Sequence, residues 1–485
     1  MIDAPLVASL PLLDVRIGGA LSPSAAASMG PVRIRREASR PAACEVEVDA
    51  SVTASPGDEL TVTAGGSRLF SGEVSAVERL FGPDRQARLR VRGFDRADRL
   101  RHRTDVATHT DLTVADLART LAGHAGLSVD ATEDGPRHTV LLQTGESDLA
   151  LLNRCCAAAG LWWRLDGDDL CLRGSDPESV RTVSWGDDLV EAVLAHSTDA
   201  PDGPVRTVSW DPATRRGVEA STGSGPSTSS GSGRTVLAPL LQDSDAASAL
   251  AQSLADRAAA SSRWVRAVLR GASDWRPGLG LRVAEDPDDT TYLLTTVEHV
   301  IDAVSGWVTL VDSRPTPEPD AQTAGMTMLP GVVADIDDPD RAGRVKVRFE
   351  VLDDLQSDWL PVLGLGASPA KGFVCQPDVG DTVAVLQPAD APGHGIVLGG
   401  IHVDAADDAA GVRSGAVRGV TLTTGDGQRL ALDRDTDGAL LRNSHGSRLE
   451  ITESGVVLHA EADLTIAAPG RRLLIRADTV DFERG

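Results

Sequence analysis

The fold of this chain is decided by residues 420–482, VTLTTGDGQRLALDRDTDGALLRNSHGSRLEITESGVVLHAEADLTIAAPGRRLLIRADTVDF. A small unit recurs there, two apolar residues with one residue between them, and the units start seven to ten residues apart. The pairs are Val420/Leu422, Leu430/Leu432, Ala439/Leu441, Leu449/Ile451, Val456/Leu458, Leu464/Ile466, Leu473/Ile475 and Val480/Phe482. Apolar residues at every second position are typical of a β-strand with one buried face. The stretch therefore predicts a run of short strands.

Turn residues separate the units, as in Gly425-Asp426-Gly427 and Pro469-Gly470. Glycine adopts positive φ at little steric cost, so it suits the connections between short strands. A repeat of this kind is typical of a β-solenoid or β-prism. Each strand offers only two apolar side chains, so a single ribbon cannot close its own core. We therefore predict a trimeric β-helical needle over residues 416–485; the alternative is an antiparallel β-meander packed against the rest of the chain.

Composition excludes some partners and indicates several domains. The chain has 485 residues, of which 41% are hydrophobic, enough for more than one globular core. Its net charge is −24, from 47 Lys and Arg residues against 71 Asp and Glu residues. Such a surface repels phosphate groups and anionic membranes, so we expect no nucleic-acid partner.

The N-terminal sequence and the cysteines indicate assembly inside the cell. Residues 1–19 have neither a basic region nor an uninterrupted apolar region, so we expect no signal peptide. No apolar stretch reaches the roughly 18 residues of a membrane span. The five cysteines are Cys44, Cys155, Cys156, Cys171 and Cys375. Because the set is odd and scattered, it predicts reduced thiols in the bacterial cytoplasm, with Cys155 and Cys156 as small buried hydrophobic residues.

Two β-rich regions flank a mixed segment in the first 320 residues. Residues 1–105 predict a first β-barrel, 106–182 an α+β insert, and 183–320 a second β-barrel with a flexible Gly/Ser loop at 221–233. In the insert, Thr113 and Asp116 have the spacing of a capping box, which predicts a helix through His124. A second helix is predicted over 148–159, ended by Gly160 and followed by a hairpin over 161–172.

The remaining segments predict a small barrel, a linker and the needle. About five strands fall within residues 328–403, which suits an OB-fold domain. The acidic, Ala-rich residues 404–415 read as a linker into the spike at 416–485. The predicted fold class is therefore mainly β with a small α+β part: a hub with two β-barrels, an OB-fold barrel and a C-terminal trimeric β-helix needle.

Specific motifs in these regions resemble known proteins. Residues 343–349 (GRVKVRF), 357–360 (SDWL) and 377–386 (PDVGDTVAVL) resemble, in order and spacing, the OB domain of VgrG-type spikes, which are related to the central spike of contractile phage tails. Residues 91–96 (VRGFDR) and 208–212 (VSWDP) are similar to the phage hub and late-control D region of the same proteins. The order of hub, OB barrel and needle covers nearly the whole chain.

The resemblance implies a structural, non-enzymatic function. A trimeric spike and hub would join the hexameric inner tube of a contractile injection system to a membrane-piercing needle, with two barrels per protomer forming a pseudo-sixfold ring. The implied partners are two further copies, inner-tube and baseplate proteins, a PAAR-like tip protein and effectors, with the target-cell envelope contacted only on firing. The particle would assemble in the cytoplasm.

The candidate site residues lie in the needle. We predict a shared trimer core made of Val420, Leu422, Leu430, Leu432, Leu449, Ile451, Val456, Leu458, Leu464, Ile466, Leu473 and Ile475. Val480, Asp481 and Phe482 are predicted to contact the tip protein. Some related spikes bind iron at the apex through His-x-His, a motif this chain lacks, since His445 and His459 are far apart. We therefore expect no metal and no cofactor.

Motifs for catalysis are absent from the sequence. There is no HExxH, GxSxG, CxxC or Walker motif. We interpret His394 and His402 as loop or edge residues, acidic pairs such as Asp337-Asp338 as turns, and Trp162-Trp163 as packing residues. The alternative function, a polysaccharide-cleaving trimeric tailspike or cell-wall-degrading enzyme, would need paired carboxylates in a groove. A soluble adhesin would need a signal peptide and an aromatic surface.

Overall fold

The computed structural model describes residues 10–81, 87–197, 203–211, 216–222, 233–237, 244–315, 326–352, 354–367, 372–388, 395–401, 412–413 and 416–483. They are mainly β-strands with few helices, as predicted. The chain divides into two compact units, Met1–Ile401 and His402–Gly485. None of the helices among these residues is long and apolar enough to cross a membrane.

The first region consists of strands with clear alternation. Its elements are β1 (Leu13–Ile17), α1 (Pro23–Ala27), β2 (Val32–Glu37), β3 (Ala43–Asp49), β4 (Glu59–Ala64), β5 (Ser67–Phe81) and β6 (Ala87–Phe94). In β3 every second residue, Cys44, Val46 and Val48, is buried. One face of this part of the sheet therefore supplies a core.

The mixed segment contains both predicted helices. Its elements are a 3-10 turn (Arg96–Asp98), α2 (Arg99–His102), β7 (Thr104–Thr113), α3 (Val114–His124), β8 (Ser128–Ala131), β9 (Arg137–Ser147), α4 (Asp148–Ala159), β10 (Trp162–Asp166) and β11 (Asp169–Arg173). The capping box of α3 is confirmed, since Thr113 Oγ1 accepts from the Asp116 amide at 3.2 Å and the Asp116 carboxylate accepts from the Thr113 amide at 3.2 Å. Gly160 ends α4 in the left-handed conformation, with φ +71°. The hairpin β10–β11 is also confirmed.

The next region returns to strands around one long helix. Its elements are β12 (Val180–Val183), β13 (Leu189–His196), β14 (Val205–Asp211), β15 (Arg216–Ser221), β16 (Arg234–Leu237), α5 (Ser244–Ser262), β17 (Arg263–Arg270), β18 (Gly280–Val283), β19 (Tyr292–Leu293), β20 (Thr296–Asp302) and β21 (Gly306–Asp312). Most of the predicted Gly/Ser loop, residues 223–232, lies outside the described residues.

A ten-stranded sheet joins the two β-rich regions. Its order is β1-β4-β5-β6-β3-β2-β20-β21-β17-β13. The junction is the antiparallel pair β2–β20, which runs from Val32 opposite Ile301 to Glu37 opposite Thr296. Within the described residues the strand order therefore closes no barrel in either region, unlike the prediction. Alternation shows which face of a strand is buried, but it does not show which strand supplies the next edge.

The OB region contains the strands that the sequence predicted. Its elements are β22 (Met326–Asp335), β23 (Arg344–Phe349), a 3-10 turn (Glu350–Leu352), β24 (Leu355–Gln356), β25 (Leu360–Pro361), β26 (Thr382–Pro388) and β27 (Ile396–Gly400). The sheet order is β24-β23-β22-β26-β27, and β25 also pairs with β23, through Arg344 and Val345. The inner residues of β23, namely Val345, Val347 and Phe349, are at most 1% exposed.

Buried hydrophobic residues of the first unit form four clusters. One follows the helices and includes Trp163 together with Cys155 and Cys156, so these cysteines pack as hydrophobic residues. Two others belong to the large sheet, and the fourth fills the OB region. The fourth also takes in Leu142 of β9, which ties the α+β segment to the OB core.

The second unit contains two antiparallel sheets, a pair formed by its first two strands and a five-stranded sheet. Its strands are β28 (Val412–Arg413), β29 (Ala416–Val417), β30 (Gly419–Thr423), β31 (Arg429–Asp433), β32 (Gly438–Arg442), β33 (Arg448–Thr452) and β34 (Gly455–His459). From β30 to β34 each strand pairs with the next, so this part is a meander and not a β-helix in the single chain. The last three apolar pairs, within residues 460–483, form no strand in the single chain.

Candidate functional site

The register of the C-terminal meander places the predicted apolar residues on one face. Val420 lies opposite Leu432, Leu430 opposite Leu441, and Leu449 opposite Leu458. Directly opposite residues point to the same side of a sheet. The apolar face, as we call it, consists of Val420, Leu422, Leu430, Leu432, Ala439, Leu441, Leu449, Ile451, Val456 and Leu458.

These side chains are uncovered within the second unit. The exposed fraction of the large residues runs from 37% for Leu449 to 71% for Val420. A sheet in water normally buries one face, and contiguous exposed apolar surface is typical of an interaction site. The apolar face therefore has the composition of a core but lacks a second layer.

A concave region lies on this face. It has a volume of about 510 Å³, and its apolar lining includes Val420, Leu432, Ala439 and Ile451. Arg418, Asp433 and Asp437 also line it. Apolar residues combined with a few charged ones are expected where side chains of another chain insert.

The opposite face of the same sheet is more polar. It carries Thr421, Ala431, Leu440, Glu450 and Val457, which alternate with the apolar face along their strands. Arg448 Nε lies 3.5 Å from Glu450 Oε2 on this side. Ala431 is buried there. The two faces therefore differ in composition, one wholly apolar and the other mixed.

The other predicted site residues follow the last strand. Leu464, Ile466, Leu473 and Ile475, predicted as trimer core, are 55–63% exposed and belong to no strand. Val480, Asp481 and Phe482, predicted as the tip contact, are also exposed, and Phe482 reaches 93%. The structure therefore does not bring these residues into the meander.

The residues interpreted as structural do make structural contacts. Trp162 Nε1 donates to the Gly174 carbonyl at 2.6 Å, and Trp163, fully buried, donates to Asn153 Oδ1 at 2.8 Å. These contacts confirm the packing interpretation of the two tryptophans. His394 and His402 lie outside the described residues.

Asp338 is held in a turn, as interpreted. Its carboxylate accepts from Arg344 Nη2 at 2.6 Å and from the Ala342 amide at 2.8 Å. Because Arg344 donates to it, the pKa of Asp338 lies well below its usual range. Across the described residues, no group of three or more His, Cys, Asp or Glu side chains is placed to hold a metal ion.

A polar cavity in the first unit was not predicted. It has a volume of about 500 Å³ and is lined by side chains that include Arg36, Asp95 and Arg164. A signal was available: in VRIRRE of β2, Arg36 is in phase with the buried Val32 and Ile34, whereas Arg33 and Arg35 lie on the other face. An arginine at a position where alternation predicts an apolar residue distinguishes the one that lines a cavity.

Family comparison accounts for most of the first unit. Residues 36–305 match the family described as phage tail baseplate hub (GPD), and residues 329–402 match the type VI secretion system/phage-baseplate injector OB domain. The chain belongs to the phage tail baseplate hub family. The hub protein is therefore a structural component of a phage-tail or type VI-like injection system, and its OB domain is confirmed.

Solved structures show the same fold at low sequence identity. A type VI secretion component of E. coli is 15% identical with a TM-score of 0.52, and the match covers 80% of the hub protein and 99% of that chain. A chain of the Francisella PdpA–VgrG complex is 9% identical with a TM-score of 0.57, covering 92% and 87%. The 43 kDa tail protein of the Shewanella oneidensis prophage MuSo2 is 16% identical with a TM-score of 0.50, covering 62% and 97%. No curated protein matches the sequence.

Proposed function

We propose that three copies of this hub protein form the hub and central spike of a contractile injection particle. The observation that carries the proposal is the apolar face, ten residues on one side of a single-layer sheet with nothing covering them in their unit. The same face of two further copies would supply the missing layer. Each buried aliphatic side chain then contributes about 1.5–3 kcal/mol before entropy is subtracted.

The residues after the meander would complete the needle. Leu464, Ile466, Leu473 and Ile475 repeat the spacing of the apolar face but lack strand partners in one chain. Neighbouring copies would supply the backbone donors and acceptors, so that these segments become strands of a trimeric β-helix. A needle of this kind is stiff along its axis because cross-strand hydrogen bonds and an apolar core run its full length. Val480, Asp481 and Phe482 would then accept a PAAR-like tip protein.

The large sheet supports a ring in the hub. Among the described strands, β1 pairs with β4 and β13 pairs with β17, so each terminal strand keeps one free edge. Free edges invite pairing with another chain. Edge pairing between copies, with the β-rich regions 1–105 and 183–320 as two barrel-like repeats, would give the pseudo-sixfold ring that fits a hexameric inner tube.

The remaining proposed domains follow the chain: the α+β insert at 106–182, the OB domain at 328–403, the linker at 404–415 and the spike at 416–485. The proposed neighbours are inner-tube and baseplate proteins and effectors, in a particle assembled in the cytoplasm that touches the target envelope on firing. The matched family is structural, so we do not propose the polysaccharide-cleaving alternative.

The test is the native mass of the full chain at micromolar concentration, measured by native mass spectrometry and light scattering. We expect a trimer. A second sample lacking residues 412–485 should show loss or weakening of the trimer, and the pair Ile466→Asp and Ile475→Asp should weaken it in the full chain. A stable monomer of the full chain contradicts the proposal. An unchanged trimer after the deletion assigns trimerisation to the hub and contradicts the needle.

A further inference from the structure

The polar cavity of the first unit is rich in arginine although the chain is strongly acidic. It lies between β2, the β10–β11 hairpin and residues 273–277, with a volume of about 500 Å³. Volumes of about 300–1,000 Å³ are usual for ligand pockets. Its arginines are Arg36, Arg40, Arg68, Arg96, Arg164 and Arg276.

Four of these arginines already have carboxylate partners. Arg40 pairs with Glu37 at 3.4 Å and Arg96 with Asp168 at 2.7 Å. Arg164 and Arg276 share Glu178, at 2.9 and 3.1 Å respectively. Arg36 and Arg68 have no ion pair within the described part of the chain. Two guanidinium groups of the cavity lining therefore have no carboxylate partner among the described residues.

Arg36 is the more informative of the two because it is partly buried, whereas Arg68 is exposed. The Nη2 atom of Arg36 donates to the Leu69 carbonyl at 2.5 Å, and burial lowers the pKa of Arg36. A buried charge is costly unless it is paired. The Nε atoms of Arg164 and Arg276 are also buried without a hydrogen-bond partner among the described residues. Several donors in this cavity therefore await an acceptor.

Asp166 and Asp95 are the carboxyls that attract Arg36 most, and both have other partners. Asp166 accepts from Arg164 Nη1 at 2.9 Å. The oxygens of Asp95 accept from the Ala42 amide at 2.8 Å and from the Ala97 amide at 3.0 Å. Burial raises the pKa of Asp95 to about 7, so it carries only part of a charge near neutral pH. The protein thus places Arg36 beside an incomplete counterion.

The rest of the lining indicates which anion fits. Glu37, Glu59, Asp166, Asp168 and Asp274 also line the cavity. A polyphosphate would meet repulsion from these carboxylates, whereas backbone N–H groups of a peptide could donate to them. A guanidinium group matches a carboxylate through two parallel hydrogen bonds. We propose that this cavity binds an extended segment of a neighbouring protein through an Asp or Glu carboxylate held by Arg36 and Arg68. This proposal does not depend on the trimeric spike.

The test uses the full chain and two labelled peptides, acetyl-Glu-Ala-Glu-amide and its Gln-Ala-Gln counterpart, followed by fluorescence anisotropy at low salt. We expect the Glu peptide to bind and Arg36→Met to weaken it about tenfold or more, as for a lost charge-assisted pair. Arg33→Met is the matched control, since Arg33 lies on the same strand, faces Glu298 at 3.6 Å and does not line the cavity. This control should bind like the wild type.

Several results would overturn the assignment. They are equal binding of the Gln peptide, binding of tripolyphosphate but not of the Glu peptide, no binding of the Glu peptide, or unchanged binding by Arg36→Met. If Arg36 were purely structural, its substitution would lower the melting temperature markedly. Under the binding proposal, we expect Arg36→Met to change the melting temperature by no more than about 3 °C. If Arg36→Met does not fold, the exposed Arg68→Ala decides, with an expected weakening of about threefold.

Discussion

Strand β23 of the OB region and the strands of the C-terminal meander share one sequence pattern but differ in burial. Val345, Val347 and Phe349 are at most 1% exposed, whereas Leu430 and Leu432 are 49% and 57% exposed. The OB strand is covered by residues of its own chain, among them Leu360, Val383 and Val397. The apolar face has no such cover in its unit. Alternation therefore shows which face of a strand is apolar. Whether that face is buried in a single chain depends on whether the same chain supplies a second layer over it.

The sharpest test of this difference is a charge placed in each region. Val347→Asp should destabilise the OB domain by about 4 kcal/mol or more, because the carboxylate would be buried without a partner. Urea unfolding and proteolysis within residues 326–401 would measure it. Lys346→Ala, on the opposite face beside Trp359, is the control and should cost under about 1 kcal/mol. A mild effect of Val347→Asp would mean that the OB core tolerates water.

The matching change on the apolar face should weaken the trimer without destabilising the fold of the single chain. Ile451→Asp should remove the trimer while the unfolding transition of the OB domain stays in place, because Ile451 is already 43% exposed in the single chain. Val457→Asp is the matched control, as Val457 lies on the opposite face of the neighbouring strand. Light scattering separates the outcomes. A full trimer with Ile451→Asp, or its loss with Val457→Asp, would assign the wrong face to the interior.

The sequence was informative wherever the signal is local. The capping box of Thr113 and Asp116 and the left-handed Gly160 each act within a few residues, so the bounds of α3 and α4 were predictable. Five of the six OB strands were predictable for a related reason, because their alternation and turns lie within one short stretch.

Partners distant in sequence were not predictable. The β2–β20 junction pairs strands from opposite ends of the hub. Nothing in the β2 sequence VRIRRE selects the β20 sequence TVEHVID over other strands of similar alternation. The pair β7–β9 was also missed, since the residues of β7, TDVATHTDLT, are mostly polar and alternate weakly. The cavity around Arg36 shows the same limit for a site, because its lining comes from several separated segments.

Breaking the ion pair between Asp338 and Arg344 should have a smaller effect on stability, and that effect should not depend on other copies of the chain. Asp338→Asn keeps the shape of the side chain but removes the charge that Arg344 contacts at 2.6 Å. We expect a loss of about 2 kcal/mol in the free energy of unfolding of the OB domain, as for a hydrogen bond to a charged group. Urea unfolding at two protein concentrations would measure it. A loss that varied with concentration would place this turn at an interface.

The same pair predicts a pH dependence. The pKa of Asp338 is lowered in the folded chain because Arg344 donates to its carboxylate. The stabilisation is therefore complete above the ordinary aspartate pKa of about 4 and is lost as the pH falls below it. The difference between wild type and Asp338→Asn should shrink at low pH in urea titrations. A difference that stayed constant below pH ~4 would exclude the ion pair as its source.

The smallest expected effect tests a contact that needs no covering layer. Thr113→Ala removes the side chain that caps α3, and we expect a loss of about 1 kcal/mol in the free energy of unfolding. Thr120→Ala is the control, because Thr120 bonds back to the Asp116 carbonyl within the helix and caps nothing. Thermal unfolding at several protein concentrations would separate the two cases. The loss of stability should be independent of protein concentration, since the cap is complete within one chain. A loss that depended on protein concentration would mean that α3, like the apolar face, is stabilised by another copy of the chain.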